Sequence, residues 1–206
     1  MRFRKHGFAL AIGALVLLLI LVVAGISAFW PSYEERFFEL GLLGKDKTAE
    51  SYFQEGNSTL DVSSKVNWYI YVYNHMGNAQ NVDVKVKLIN STMELPDDRE
   101  HEPSLLEALV DFPLSLSVNE TVFVPFSWSI LEADYQNGST VLKRLMVNDQ
   151  MVEVDVPVSS DSSFYIVFEL WVYDQVSHEY KFGWGSEKGF FSASLNMGFR
   201  VNLPMA

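Results

Sequence analysis

Apolar and polar positions alternate with a period of two over much of the chain, a pattern typical of β-strands with two distinct faces. The clearest example is the segment 66–74, with the sequence VNWYIYVYN. Its two faces consist of Trp68, Ile70 and Val72 on one side and Tyr69, Tyr71 and Tyr73 on the other. Because both faces carry large apolar surfaces, we predict a strand in the middle of a sheet.

A second alternating segment, VDVKVKL at 82–88, follows the sequence NHMGNAQN. Its side chains divide into Val82, Val84, Val86 and Leu88 facing inward and Asp83, Lys85 and Lys87 facing outward. The Asn and Gly residues between the two segments favour a tight turn. The pair therefore predicts an antiparallel hairpin with one face in solvent.

Other strands are predicted on the same grounds, at RFFELGLLG, LSLSV, TVFVPFSWSI, VLKRLMVN, VEVDVPV, FYIVFELWVYD and FFSASLNMGFRVNL. Short strands separated by Asn, Gly, Pro and Ser turns predict an all-β, antiparallel β-sandwich, with a barrel as the alternative. The predicted interior includes Trp68, Ile70, Val84, Val86, Phe126, Trp128, Phe168, Leu170 and Val201.

The segment 91–113, STMELPDDREHEPSLLEALVDFP, interrupts the alternation. Its first half is acidic and bounded by prolines, so we predict an exposed loop there. Ser104 and Glu107 then have the spacing of a capping box. An apolar patch accompanies them, formed by Leu105, Leu106, Ala108 and Leu109. We predict a short helix that lies against the sheet.

One uncharged apolar segment, residues 8–30, is long enough at about 23 residues to cross the lipid bilayer as a helix. Basic residues in the leader 1–7 place the N-terminus in the cytoplasm and residues 31–206 outside. Two alternatives remain open. One is a secretory signal cleaved after Ala28. The other is a pilin-type leader cut between Gly7 and Phe8, although Ile12 stands where many pilins carry an acidic residue.

Four N-x-[ST] glycosylation acceptors support an extracellular location for 31–206, at Asn57, Asn90, Asn119 and Asn137. Glycans need exposed Asn side chains, so we expect these positions at loops or strand ends. The 206-residue chain contains no cysteine, and its domain must be held by a noncovalent core. The formal net charge of −11 and the absence of a basic cluster argue against nucleic acid binding.

The sequence offers few candidates for chemistry. His75 could contribute to a metal site, and His178 also follows a long strand, but no histidine pair with ligand spacing occurs. The other interpretation of His75 is a turn residue bonded to backbone. The acidic loop 97–102 could bind Ca²⁺, or it could simply be a solvated surface. We predict no resident cofactor or metal.

No sequence motif supports an enzymatic activity. There is no G-x-S-x-G, no cysteine nucleophile and no phosphate-binding loop. A carboxylate pair for glycoside hydrolysis is not singled out by any spacing. The row Tyr69, Tyr71 and Tyr73 could form a platform for a carbohydrate or a protein partner, although packing within the sheet is the commoner role of such a row.

Two stretches, RFFELGLLGKDKTAESY and WYIYVYNHMG, resemble the extracytoplasmic domain of an archaeal membrane-protein family known as domain of unknown function 1616. The matching positions are Phe38, Leu40 or Leu43, Gly44, Ala49, Tyr52, Asn74, His75 and Gly77. The segment VLKRLMVND matches a later strand of the family more weakly. The resemblance spans about residues 36–156 and implies an immunoglobulin-like sandwich on an archaeal cell surface. It implies no catalytic residues, and it favours His75 as part of a turn.

These observations together predict a single-pass, membrane-anchored domain that acts as a structural or interaction module. We expect it to serve as an accessory subunit among other membrane or envelope proteins. A pilin-like filament subunit is the first alternative. A metal-binding or enzymatic envelope domain is the second.

Overall fold

The computed structural model describes Val22 and residues 35–159, 162–186 and 189–203. The chain divides into two compact units, 1–35 and 36–206, and the β-structure belongs to the second. The predicted leader 1–7 and the predicted membrane helix 8–30, apart from Val22, lie outside the described residues. In the part of the chain that the structure covers, no helix has the length and apolar character needed to cross a membrane.

Thirteen strands and one short 3-10 helix are formed by the described residues. The strands are β1 Phe38–Leu43, β2 Thr59–Asp61, β3 Lys65–Asn74, β4 Gln80–Asn90, β5 Val110–Leu116, β6 Thr121–Gln136, β7 Ser139–Val147, β8 Gln150–Ser159, β9 Phe164–Asp174, β10 Glu179–Phe182, β11 Trp184–Ser186, β12 Gly189–Phe191 and β13 Ser194–Asn202. The 3-10 helix is Gln54–Gly56.

The strands form two main sheets that pack as a sandwich, as the alternation predicted. One sheet has the order β1-β3-β6-β7-β8, and the other has the order β2-β13-β9-β4-β5, with β10 also paired to β9. Strands β11 and β12 form a separate two-stranded sheet. Among the strands of the described residues, the pairing of β13 with β2 is parallel and the others are antiparallel. The predicted all-β sandwich is confirmed.

Two-residue turns connect the last three strands of the first sheet, β6, β7 and β8. Asn137 and Gly138 join β6 to β7 with φ of 53° and 80°, and Asn148 and Asp149 join β7 to β8 with φ of 45° and 62°. Positive φ at both central residues is the turn geometry that matches strand twist, and Asn, Asp and Gly adopt it most readily. Local sequence therefore determines this part of the topology.

Inward-facing aromatic residues from both sheets meet around Trp68. Its ring lies 5.6 Å from Trp128, 6.1 Å from Phe126 and 6.2 Å from Phe168, measured between centroids. The indole N–H donates to the carbonyl of Tyr52 at 2.5 Å, so the polar atom of the buried ring is satisfied. Of the predicted interior residues, all are buried except Val201, which is half-buried.

The predicted hairpin of 66–74 with 82–88 is wrong. Strand β3 pairs with β1 and β6, whereas β4 pairs with β5 and β9 in the other sheet. The chain between them crosses from one sheet to the other. Asn74 holds this crossing, because its buried amide donates to the carbonyls of Asn78 and Ser117 and accepts the N–H of Met76, all at 2.9 Å.

The outer face of β4 is not in solvent, contrary to the alternation-based prediction. Asp83 and Lys87 are buried, and Ile89 on the same side is fully inaccessible. The chain between β4 and β5 bonds to this face at Ser104. The predicted short helix at 104–109 does not form either. Ser104 directs its backbone N–H to a side chain of the sheet, so the capping geometry is absent.

Candidate functional site

His75 directly follows β3 and links three segments of the chain. Its backbone N–H donates to the carbonyl of Phe37 at 2.9 Å, and the two rings lie 4.8 Å apart. The imidazole Nδ1 is 3.0 Å from the hydroxyl of Tyr73 and 3.1 Å from Oδ1 of Asn119. The histidine therefore joins β1, β3 and the β5–β6 turn, a structural role for this position.

The other described histidines have partners of their own. His178 Nδ1 lies 3.3 Å from the hydroxyl of Tyr173, and His101 Nδ1 lies 3.1 Å from Oγ of Ser192. No three His, Asp or Glu side chains among residues 35–159, 162–186 and 189–203 are grouped so that they could hold a metal ion. His6 lies outside the described residues.

The acidic loop 97–102 is a closed turn. Asp97 and Glu102 exchange two backbone hydrogen bonds of 2.9 and 3.0 Å. The Asp97 carboxylate accepts the N–H groups of Arg99 and Glu100, and these two bonds hold the pKa of that carboxyl below its ordinary value. The carboxylate thus stabilises its own turn, as an Asx-type cap does.

A serine, a histidine and an aspartate meet where this loop contacts the segment before β13. Ser192 Oγ is 3.1 Å from His101 Nδ1, within reach of a nucleophile–base pair. The carboxylate of Asp98, however, lies 3.4 Å from the serine hydroxyl and accepts the N–H of Ser194 at 3.2 Å. A catalytic carboxylate must orient the histidine. Since Asp98 bonds to the serine and the backbone, these contacts fasten the loop.

The outer face of the second sheet contains a buried ion pair. Lys87 Nζ lies 2.8 Å from Glu169 Oε2, and both side chains are almost fully inaccessible. The ammonium also donates to the carbonyl of Ser104 at 2.7 Å, while the N–H of Ser104 donates to Glu169 Oε1 at 2.8 Å. The indole of Trp171 donates to the same carboxylate at 3.0 Å. The pair thus binds the β4–β5 connection to the sheet.

One feature of the sequence pointed to this ion pair, although the alternation of apolar and polar positions did not reveal it. Glu169 is the only acidic residue inside the otherwise apolar run FYIVFELWVY. A carboxylate in such a strand must be exposed or paired, because burying an unpaired charge is strongly unfavourable. Its partner, Lys87, lies on a neighbouring strand that sequence could not identify.

The four predicted glycosylation acceptors fall into two groups. Asn57, Asn119 and Asn137 are exposed, as expected. Asn90 is buried at the end of β4, and the expectation of exposure is wrong there. Its amide nitrogen donates to the carbonyl of Pro157 at 2.7 Å, while its oxygen accepts both the N–H and the hydroxyl of Thr92. The nitrogen that would carry a glycan is therefore already occupied in the folded domain.

The outer side of the first sheet presents an aromatic surface, which we call the tyrosine face: Tyr69, Tyr71, Tyr73 and Phe123. Tyr71 and Phe123 are cross-strand neighbours with ring centroids 5.5 Å apart, and Phe123 is 40% exposed. The hydroxyl of Tyr71 donates to the Glu39 carboxylate at 2.6 Å, and this bond raises the pKa of Tyr71 to about 12. The predicted alternation of the tyrosines is confirmed.

A lysine groove adjoins the tyrosine face at Tyr69. It comprises two neighbouring cavities of about 520 and 590 Å³ that share Lys45 and Asn67. The first is also lined by Trp68, Tyr69, Pro125, Phe126, Ser127, Asn148 and Asp149, and the second by Ser51, Tyr52, Phe53, Gln54, Gly56, Lys65 and Val66. Lys47 stands beside the groove, with its ammonium 4.8 Å from the centre of the Tyr69 ring.

No protein-family model and no curated protein matches this chain. Solved structures of a β-glucosidase from Listeria innocua share a distant likeness over 81% of this chain but only 16–17% of theirs. A mutant of that enzyme with laminaribiose has 11% identity and a TM-score of 0.34, and its glucose complex has 12% identity and a TM-score of 0.32. At these values the likeness assigns neither a family nor an activity to the chain.

Proposed function

We propose that this protein is a single-pass, membrane-anchored module on an archaeal cell surface, with residues 8–30 in the bilayer and residues 31–206 outside. In this proposal the β-sandwich is immunoglobulin-like, as in the family whose sequence it resembles. The module has no catalytic role and contacts other membrane or envelope proteins as an accessory subunit. The basic leader 1–7 and the uncharged segment 8–30 support the anchor.

The main support for the interaction proposal is that the outer face of the second sheet is covered by chain and the outer face of the first sheet is less covered. On the second sheet, the β4–β5 connection binds at Ser104 and buries Lys87 and Glu169. On the first sheet, the tyrosine face has no comparable cover among the described residues, and Phe123 stays 40% exposed. Tyr69, Tyr71 and Tyr73 are half-buried beside it. A cluster of tyrosine and phenylalanine side chains supplies apolar contact area together with hydroxyl groups, and aromatic residues are enriched at the centres of protein interfaces.

Photo-crosslinking in native membranes tests this proposal. A photoreactive phenylalanine analogue is placed at position 123 of the full-length chain and, as the control, at position 135. Tyr135 is on the same strand and is 63% exposed, but it lies away from the tyrosine face. We expect discrete adducts with another membrane or envelope protein from position 123 alone. Absence of adducts at 123, or equal adducts at both positions, would contradict the proposed contact.

The anchor is tested separately. Protease added to sealed, right-side-out vesicles should remove the C-terminal part, and mass spectrometry should find an N-terminus that retains the leader. A mature chain that begins at Phe8 would favour the pilin-like alternative. Protection of the C-terminal part would contradict the proposed topology.

A further inference from the structure

The lysine groove concentrates positive charge on a strongly acidic protein. Lys45 and Lys65 both line the larger cavity, and no described lining residue there is acidic. Lys45 has no ion-pair partner among the described residues. Lys65 reaches only Asp149, at 4.0 Å, with 58% and 90% of the two side chains exposed. Such a pair contributes little, so both ammonium groups are available to an anion.

A third lysine, Lys47, is held by aromatic rings beside the smaller cavity. Lys47 has a positive φ of 58° in the tight turn that follows β1, and its N–H donates to the carbonyl of Gly44 at 3.0 Å. This turn directs its ammonium over Tyr69 at 4.8 Å and over Phe123 at 5.4 Å. Cation–π contacts position the charge without neutralising it. Lys45 and Lys65 therefore line the groove, and Lys47 adds a third ammonium group beside Tyr69.

The remaining lining suits the ring and hydroxyl groups of a sugar. Tyr69 and Pro125 are cross-strand neighbours and offer apolar surface, while Asn67 and Gln54 offer amides. The lining mixes aromatic and apolar side chains with amides and hydroxyls, which suits the apolar ring faces and the hydroxyl groups of a sugar. Asp149, an acidic residue that lines the smaller cavity 4.0 Å from the Lys65 ammonium, can accept hydroxyl hydrogen bonds. The two cavities share side chains, so an extended ligand can occupy both.

We propose that the lysine groove binds an acidic polysaccharide. The lysines pair with its carboxylates or sulfates, Tyr69 and Pro125 contact sugar rings, and the amides bond to hydroxyls. This binding goes beyond the proposed protein contact and shares only Tyr69 with the tyrosine face. It would give the module a second point of attachment, to the saccharide part of an envelope.

Surface plasmon resonance on the full-length protein in nanodiscs tests the groove. Polygalacturonate and alginate serve as acidic probes, dextran serves as the neutral probe, and empty nanodiscs provide the reference. We expect both acidic probes to bind, dextran not to bind, and the affinity to fall steeply between about 50 and 300 mM salt because charge screening weakens ion pairing.

Matched variants locate the site. Lys45→Ala with Lys65→Ala should weaken polygalacturonate binding about tenfold or more, and Tyr69→Ala about three- to tenfold. Lys143→Ala and Tyr135→Ala remove the same groups away from the groove and should leave the affinity unchanged. Circular dichroism confirms that each variant is folded.

Three outcomes would overturn the proposal: no binding of either acidic probe, equal binding of dextran, or full affinity in the folded double-lysine variant. The crosslink at position 123 tests the protein contact of the tyrosine face in a separate experiment. Loss of polysaccharide binding with retained crosslinking therefore rejects only the groove proposal, and the converse rejects only the protein contact.

Discussion

At the scale of the residue, burial distinguishes Asn90 from the other three predicted glycosylation acceptors. We expect glycans on Asn57, Asn119 and Asn137 and none on Asn90 in the mature protein, because the Asn90 amide nitrogen is buried and donates to Pro157. Glycopeptide mass spectrometry of the protein from its native membrane measures the occupancy of each site. Substantial occupancy of Asn90 in folded protein would contradict this prediction.

Asp83 is a second residue of this kind, because its surroundings disfavour the charged form of its carboxyl group. Burial, followed by repulsion from Asp111, raises the pKa of this carboxyl, and its Oδ1 has no hydrogen-bond partner among the described residues. The charged form therefore destabilises the fold above the folded pKa. We expect Asp83→Asn to raise the free energy of unfolding at pH 7 by about 1 kcal/mol.

The pH dependence provides the check on Asp83. A group with a raised folded pKa stabilises the fold below its unfolded pKa and loses that contribution as pH rises through the folded value. The difference in free energy of unfolding between Asp83→Asn and wild type, measured by urea denaturation, should therefore disappear as pH falls towards about 4. The exposed control Asp111→Asn should show a smaller gain. A gap that widens in acid would refute this account.

At the scale of the element, the Lys87–Glu169 pair attaches the β4–β5 connection to the second sheet. We expect Glu169→Ala to lower the free energy of unfolding by about 3–5 kcal/mol, because it leaves a buried ammonium without a counter-charge. The double variant Lys87→Met, Glu169→Leu should recover most of that loss, since apolar side chains of similar size can replace a buried pair. Denaturant unfolding measures both.

An exposed pair supplies the matched control. Lys143 and Asp155 lie 2.5 Å apart on β7 and β8 with the carboxylate 78% exposed, so Lys143→Ala should cost no more than about 1 kcal/mol. Hydrogen exchange adds a local readout, because Glu169→Ala removes the acceptor of the Ser104 N–H. Faster exchange across 91–109 is expected. Equal costs at the two pairs would contradict the role given to burial.

At the scale of the whole molecule, acid stability reflects several surface carboxylates. The hydrogen bond from Lys181 holds the pKa of Asp174 at about 2, and backbone N–H groups lower the pKa of Asp97 and of Glu120. Depressed carboxyl pKa values stabilise the fold above the unfolded values and lose that contribution as pH falls. We expect Tm to decline from about pH 4 to about pH 2.

Lys181→Met isolates one part of this effect. The variant removes the largest cause of the Asp174 shift, so its Tm should be lower than that of wild type at pH 7 and should approach it near pH 2. Calorimetry across the range gives both curves. Parallel curves, or a wild-type Tm that rises in acid, would contradict the proposed linkage.

Much of the fold could be predicted because strand alternation is local. The side of β3 that faces the core, the extent of β9 and the Asn-Gly turn between β6 and β7 all follow from neighbouring residues. The tyrosine face also follows from period-two alternation, and its side chains lie where that pattern placed them. The lysine groove could not be predicted, because it joins the turn after β1 to the β7–β8 turn.

The amino-acid sequence by itself determined the long strands, such as β3, β4 and β9, and which of their side chains face the core, since each depends on a repeat of two residues along the backbone. Only the tertiary structure decided which strands pair, which outer face is covered and which sequon is accessible. The decisive bonds join Ser104 to Glu169 and Asn90 to Pro157, across 65 and 67 residues of chain. Periodicity carries no information about contacts at that separation, so burial of an outward-facing charge or amide is settled by folding alone.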